Sequence, residues 1–410
     1  MKLTNHYKFL FICFILILSN GCAPYYAQKV GPTDIIKAQE EILEDQLFDI
    51  GIQVFESDKI TEKQSKEEHT SPEVRKAESH FIPYHLKNTL QQSNYWGAVR
   101  VLPTETESID VLVKGKILES NGENLAVQIE VVDATGKSWF SKKYKSQATS
   151  EFYSANLMGE KDAYQDLYNA ISNDMAEYFK RLPPEKIKKI RTVSKLKFAE
   201  DFAPSTYNGY LEKDKKNIIT VNRLPADEDP IMIRLLKIRE RENMYIDTLN
   251  GYYEEYYSEM WSSYENWRKL NYEEIKAIQK IKRDGTIRKI VGGLLLAGAI
   301  ALSAGDVDNT GAIQMGMILV GGQVIVQGFN ITKEAEIHSA AIKELSESFG
   351  SEMRPVVMEF EGQQYELTGS AEEQFKHWRE LLEQIYILET GFDPDVSPET
   401  GETTKTENSE

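Results

Sequence analysis

Residues 109–144 read IDVLVKGKILESNGENLAVQIEVVDATGKSWFSKKY, and their pattern sets the fold of the first half of the chain. Three β-rich runs, 109–118, 125–132 and 138–144, are separated by Asn121-Gly122 and Thr135-Gly136. Both dipeptides are tight-turn signals, because Asn and Gly tolerate the positive φ that short hairpin turns demand. The stretch therefore predicts an antiparallel meander. Upstream, 96–102 reads as a further strand. In 47–55, Phe48, Ile50, Ile52 and Val54 alternate with Leu47, Asp49, Gly51 and Gln53, the period of a half-buried strand. Residues 57–70 are charged and poor in apolar side chains, which predicts a loop.

Helices fit around these strands. Residues 34–46 predict one, with Asp34 as cap and Ile35, Ile36, Ile42 and Leu43 as its stripe. Ser71-Pro72-Glu73 opens another that runs to residue 92, with Pro83 expected to kink or restart it. A long helix is expected over 150–181. The fold class is α+β: residues 34–182 form an α/β sandwich with helices packed on a small mixed sheet.

The second half is mostly helical. Pro183-Pro184 marks a boundary, and 183–288 is read as a helical region. Its first part carries Lys186, Lys188, Lys189, Arg191, Lys195 and Lys197, either a solvated helix face or a contact for anionic lipid or an acidic partner. From about residue 230 to 282 one helix is expected. Tyr253, Tyr256, Met260, Tyr264 and Trp267 recur on it at steps of three and four, and Ile275, Ile278 and Ile281 continue the stripe. Such a stripe packs on other helices or offers a partner or glycan surface. Residues 289–332 are apolar and rich in glycine. Neither 290–304 nor 309–332 contains a charge, and Gly293, Ala297, Ala301 and Gly305 fall at four-residue steps, with Gly316 in the second arm. On a helix these small residues form a ridge that lets another backbone approach closely. A buried hairpin or oligomer seam, a membrane-inserted hairpin and a contribution to a multisubunit β-barrel all stay open. Residues 333–391 predict a helix, a β-hairpin around Glu361-Gly362, and a last helix opened by a Ser370/Glu373 capping box and stopped by Gly391. Residues 392–410 form an acidic tail expected to be disordered.

Composition removes several classes of function. The chain of 410 residues holds 65 Asp and Glu against 48 Lys and Arg, a net charge of −17, which is wrong for a nucleic-acid binder. The two cysteines, Cys13 and Cys22, exclude a disulfide framework and a Cys-rich metal site. His69, His80, His85, His338 and His377 form no metal-ligand motif, and neither a phosphate-cradling loop nor a nucleophile elbow occurs. Glu254-Glu255 and Glu273-Glu274 read as solvated helix faces rather than a glycosidase pair. No enzyme, cofactor or metal is called for.

The first residues give an address. Lys2 and Lys8 lead into the apolar run 9–18, followed by Ser19-Asn20-Gly21-Cys22. That is the layout of a secretory signal over 1–21. The end of it resembles the lipobox of bacterial lipoproteins, with Cys22 as the acylated thiol and 22–33 as a lipidated tether, although Ser19 and Asn20 depart from the usual residues. Ala23 in place of Asp implies, by the same resemblance, the outer membrane with the body facing the periplasm. The block Trp96-Gly97-Ala98-Val99-Arg100-Val101, Asp110 to Ile117 and Val132-Asp133-Ala134-Thr135-Gly136 resembles the amino-terminal α/β envelope domain of TolB and the CsgG-like lipoprotein family. That resemblance implies binding to envelope proteins or self-association. The expectation is a non-catalytic lipoprotein scaffold or accessory subunit of an envelope assembly, anchored to the bilayer by its acyl chains. A pore-forming or membrane-inserting protein using 290–331 and an envelope glycan hydrolase are the alternatives.

Overall fold

A computed structural model describes residues 28–57, 70, 72–154, 161–283, 355–360 and 363–391, together with 337, 340, 341, 343, 344 and 347. The expected signal over 1–21 and Cys22, most of the expected loop at 57–70, the Gly-rich segment 289–332 and the expected tail 392–410 lie outside the described residues. In chain order the elements are β1 (Gln28–Lys29), β2 (Ile50–Gln53), β3 (Glu56–Ser57), α1 (Pro72–Gln92), β4 (Val99–Leu102), β5 (Val111–Ser120), β6 (Asn124–Asp133) and β7 (Ser138–Gln147). Then come α2 (Ser150–Ser154), α3 (Gln165–Lys180), α4 (Pro184–Phe202), α5 (Pro204–Tyr207), β8 (Leu211–Lys213), β9 (Ile219–Val221), α6 (Pro230–Arg283), β10 (Val356–Phe360), β11 (Gln363–Leu367) and α7 (Ala371–Thr390).

The chain is α+β with a mixed sheet. Its order is β1-β7-β6-β5-β2-β4, with β3 also pairing β5. The β5-β6-β7 meander is antiparallel, and β1, β2, β3 and β4 join it in parallel pairings. Both turn glycines take the positive φ their positions require, 81° at Gly122 and 79° at Gly136. Asn121 secures the first turn by accepting from the amides of Glu123 and Asn124.

Alternation along the strands sorts their side chains between cores. Ile50, Ile52, Val111, Val113, Val127, Ile129 and Val131 pack with Ile82, Leu86 and Leu90 of α1 and Leu167, Ile171 and Met175 of α3. Val101 and Leu102 of β4 belong to a second core, shared with α4, the first half of α6, the β10–β11 hairpin and α7. In the third, Val74, Ala77 and Phe81 of α1 meet Tyr256, Met260, Tyr264 and Trp267 of α6. The aromatic stripe of α6 is thus buried inside the protein, and these residues are not a partner or glycan surface.

Pro83 neither breaks nor restarts α1, which is a single helix of 21 residues. Proline has no N–H, so the Ser79 carbonyl four residues earlier loses its helical donor. The Phe55 amide donates to that carbonyl instead, at 2.9 Å, and ties the end of β2 to α1. At the far edge of the sheet, Asn250 of α6 closes β4: its side chain accepts from the Val101 amide and donates to the Val101 carbonyl, both at 2.8 Å. A side-chain amide here takes the place of a neighbouring strand and covers an otherwise open edge. Beside it Arg100 donates twice to Asp247, at 2.7 and 2.9 Å.

Two expected helices differ. Residues 34–46 are not helical apart from a 3-10 turn at Glu44–Gln46. They form a strap whose backbone is satisfied by α3: Asp166 and Asn173 accept from the amides of Thr33 and Ile36, and Asn169 and Asn173 donate to the carbonyls of Thr33 and Asp34. Ile36, Ala38 and Ile42, all even-numbered, pack on the first core, while Leu43 is 65% exposed. An even spacing suits extended chain as well as helix, and α3 decides between them. The expected tether 22–33 likewise contributes β1, which adds to the sheet beside β7. The expected helix over 150–181 is two helices, α2 and α3, with 161–164 between them non-helical. There the Asp162 carboxylate accepts from the Tyr164 amide at 2.8 Å and starts α3. The Ser370/Glu373 capping box and the left-handed Gly391 cap of α7 form as expected.

Asn173→Ala removes two hydrogen bonds to the strap. It is expected to cost about 1–2 kcal/mol of stability and to speed proteolysis within residues 31–42. An unchanged digestion pattern would mean that the Asp166 and Asn169 bonds and the packing of Ile36 and Ile42 suffice to hold the strap.

Candidate functional site

The most concentrated chemistry among the described residues is a buried polar seam between α1, α6 and the 161–164 turn. Arg268 projects from the stripe face of α6, four residues after Tyr264. Its guanidinium and the Asp162 carboxylate, both essentially inaccessible to solvent, meet at 2.7 Å. The rest of the guanidinium is surrounded by rings, with Tyr264 at 4.4 Å, Tyr164 at 5.4 Å and Trp261 at 6.0 Å from its carbon. Cation–π contacts of this kind strengthen when desolvated. Glu78 of α1 accepts from the Tyr264 hydroxyl at 2.5 Å and from Ser120 Oγ, and lies 3.3 Å from Arg75. The Gly122 turn presses against α6 here: a Cβ at Gly122 would overlap the Arg268 carbonyl oxygen. Glu123 extends the contact, accepting from Lys276 at 2.5 Å and Gln279 at 2.9 Å.

His85 lies in the same seam. Gln165 Oε1 can only accept, so the 2.9 Å contact assigns a proton to His85 Nε2. Its Nδ1 then accepts from the Tyr257 hydroxyl at 2.5 Å, and the ring is neutral. Burial, helped by nearby Arg268, holds the His85 pKa below its ordinary value of 6.5, against the opposing pull of Asp162 and Gln165. For Asp162, burial pushes the pKa up. The Arg268 charge and the Tyr164 amide outweigh it and leave the carboxyl below its ordinary value. The seam is therefore ionised at Arg268 and Asp162 and neutral at His85, with its groups turned toward one another.

A second polar cluster fixes the other half of α6. Arg239 donates to the Ser108 carbonyl and Ser194 Oγ, at 2.6 and 2.9 Å from the same nitrogen. Glu242, fully buried, accepts from Thr106 Oγ1 at 2.5 Å and lies 3.6 Å from Arg379 of α7. Burial raises the Glu242 pKa even so.

The residues singled out from sequence fall as follows. Cys22, Gly293, Ala297, Ala301, Gly305 and Gly316 all lie outside the described residues. Glu254-Glu255 and Glu273-Glu274 are on α6. The basic stretch divides by role: Arg191 donates to the carbonyls of Glu44 and Leu47, Lys197 pairs with Glu107, and Lys186 and Lys189 line a surface groove. Arg268, Asp162 and Glu78 went unread. The available signal was a charged residue in the otherwise apolar and aromatic stripe of a long helix. Among the described residues no group of three His, Cys, Asp or Glu is placed to hold a metal ion, and no helix is long and apolar enough to cross a membrane. Comparison of the chain with protein-family models, curated proteins and solved structures finds no match.

Two measurements check this geometry. Arg268→Met strands the Asp162 carboxylate in the interior and is expected to cost about 3–5 kcal/mol in chemical unfolding; adding Asp162→Asn should recover part of it. His85 is charged more readily in the unfolded chain than in the folded one. Its contribution to stability is thus complete above pH 6.5 and is lost as pH falls below that value. His85→Gln should flatten the fall in melting temperature between pH 7 and 5. Half-buried His80, whose pKa burial also lowers, leaves a residual slope. An unflattened profile would place the acid sensitivity elsewhere.

Proposed function

We propose that the protein is a non-catalytic lipoprotein of the bacterial outer membrane, facing the periplasm, that serves as a scaffold or accessory subunit in an envelope assembly. The observation that carries this reading is α6. At 54 residues it is about 80 Å long. Two polar clusters and two of the hydrophobic cores pin it to the rest of the protein. It therefore acts as a rigid spine, with Arg239, Glu242, Asn250 and Arg268 on its inner side joined to internal partners.

The spine also sets where the uncharged segment is attached. Residues 284–355 leave from its carboxyl end, and the chain returns at Val356, which shares a core with Tyr253. Thirty residues of helix, about 45 Å, separate Tyr253 from Arg283. The stretch containing Gly293, Ala297, Ala301, Gly305 and Gly316 follows the end of this stiff support in the chain, which suits presentation to a second copy or to another envelope protein. The same stretch supports a second reading, insertion into a bilayer, because 309–332 is uncharged over a length that can span one. The amino-terminal sandwich, with its likeness to the TolB and CsgG-like envelope domains, would supply the binding surface of the body.

The anchor is tested directly. Expressed in a Gram-negative host, the native chain is expected to incorporate labelled palmitate and to fractionate with the outer membrane, and Cys22→Ser is expected to abolish the labelling. A free thiol at Cys22 in the purified natural protein would remove the reading.

A further inference from the structure

A groove of about 540 Å³ opens where the β6–β7 turn, the end of α3, the start of α4 and the β8–β9 tip meet. Its volume lies in the range of roughly 300–1,000 Å³ typical of small-molecule sites. The walls are built firmly. Asp133 accepts from the Thr135 amide and hydroxyl, and from Trp139 Nε1 at 2.9 Å, so both of its oxygens are engaged. The Trp139 ring stacks on Tyr178, with centroids 4.7 Å apart and planes at 15°. The Ile219 amide donates to the Thr135 carbonyl at 2.8 Å and seats the β8–β9 tip on the turn.

Four cations line this one cavity: Lys137, Arg181, Lys186 and Lys189. None of the four is ion-paired among the described residues, and Arg181 spends only its Nε, on the Glu177 carbonyl. Lys114, Lys142, Lys145, Lys197 and Lys276 all have acidic partners. Asp133 is the one carboxylate in the groove, and its oxygens are committed. Like charges gathered around one small cavity repel one another, and an anion relieves that repulsion. The apolar part of the lining, Leu182, Pro183, Ile190 and Ile218, suits a ligand with an uncharged body beside its charge.

We propose that this groove binds a phosphate-bearing small ligand, with Lys137, Arg181, Lys186 and Lys189 around the phosphate and the aromatic pair and apolar residues against its carbon skeleton. A concave site with converging cations fits a compact polyvalent anion better than an extended acidic peptide, which needs a stripe. The phosphate can come from a free phosphoester or from a phospholipid headgroup. The assignment stands on this geometry and does not depend on acylation at Cys22.

Calorimetric titration of the purified full chain in detergent tests it. The probes are inorganic phosphate, glycerophosphoglycerol, and phosphatidylglycerol against phosphatidylcholine in the same detergent. Saturable binding of either soluble probe supports a free ligand, and binding of phosphatidylglycerol alone supports a lipid headgroup. Lys186→Ala/Lys189→Ala should weaken the bound probe by at least about tenfold, since charge-assisted contacts are lost. Lys188→Ala/Lys215→Ala, which removes the same charge outside the groove, should leave binding unchanged. If the first double variant does not fold, Lys137→Ala takes its place. No heat with any probe, equal weakening by both double variants, or an unaffected groove variant would overturn the proposal. So would displacement of phosphate by a polyglutamate peptide at lower concentration.

Discussion

Burying a guanidinium costs several kcal/mol unless its charge is matched in place, and the pairing of Arg268 with Asp162 is where this protein meets that constraint. Asp162 also starts α3 by holding the Tyr164 amide. Arg268 therefore connects the long helix to the beginning of another helix and, through Tyr264 and Glu78, to a third. Without this match the aromatic stripe of α6 could pack on α1 in more than one register, since apolar contact is not directional. The charges and hydroxyls select one.

The same economy recurs wherever backbone groups lack a regular partner. Asn250 stands in for a strand at the β4 edge, and Asn169 and Asn173 stand in for a strand or helix along the 30–43 strap. Phe55 supplies the donor that Pro83 denies to Ser79. In each case a group from elsewhere in the chain satisfies a backbone amide or carbonyl that has no partner in a helix or strand. Of these links, that of Asn250 to Val101 binds the first half of the chain to the second, where β4, α4, the spine and α7 share a core.

Elements whose signals are local were legible in the sequence. The tight turns at Gly122 and Gly136, the capping box at Ser370 and the start of the spine at Pro230 all follow from residues a few positions apart. The strap was misread because Ile36 and Ile42 serve an extended chain as readily as a helix. The break before α3 went unseen because it depends on Asp162, whose partner Arg268 lies 106 residues away. The seam was hidden for the same reason. The groove was half visible: Lys186 and Lys189 stood out as basic, but Lys137 and Trp139 join them only because the β6–β7 turn folds against α4.

What the sequence by itself determined is the α+β class, the meander, the span of the long helix and the uncharged stretches at 290–304 and 309–332. Periodicity and turn chemistry act over a few residues, so the chain states them outright. Tertiary structure alone decided which face of the spine is buried, how each interior charge is matched, and which lysines gather around one cavity. Those outcomes depend on through-space distances between remote residues, and Coulomb and hydrogen-bond energies take their values from such distances rather than from order along the chain.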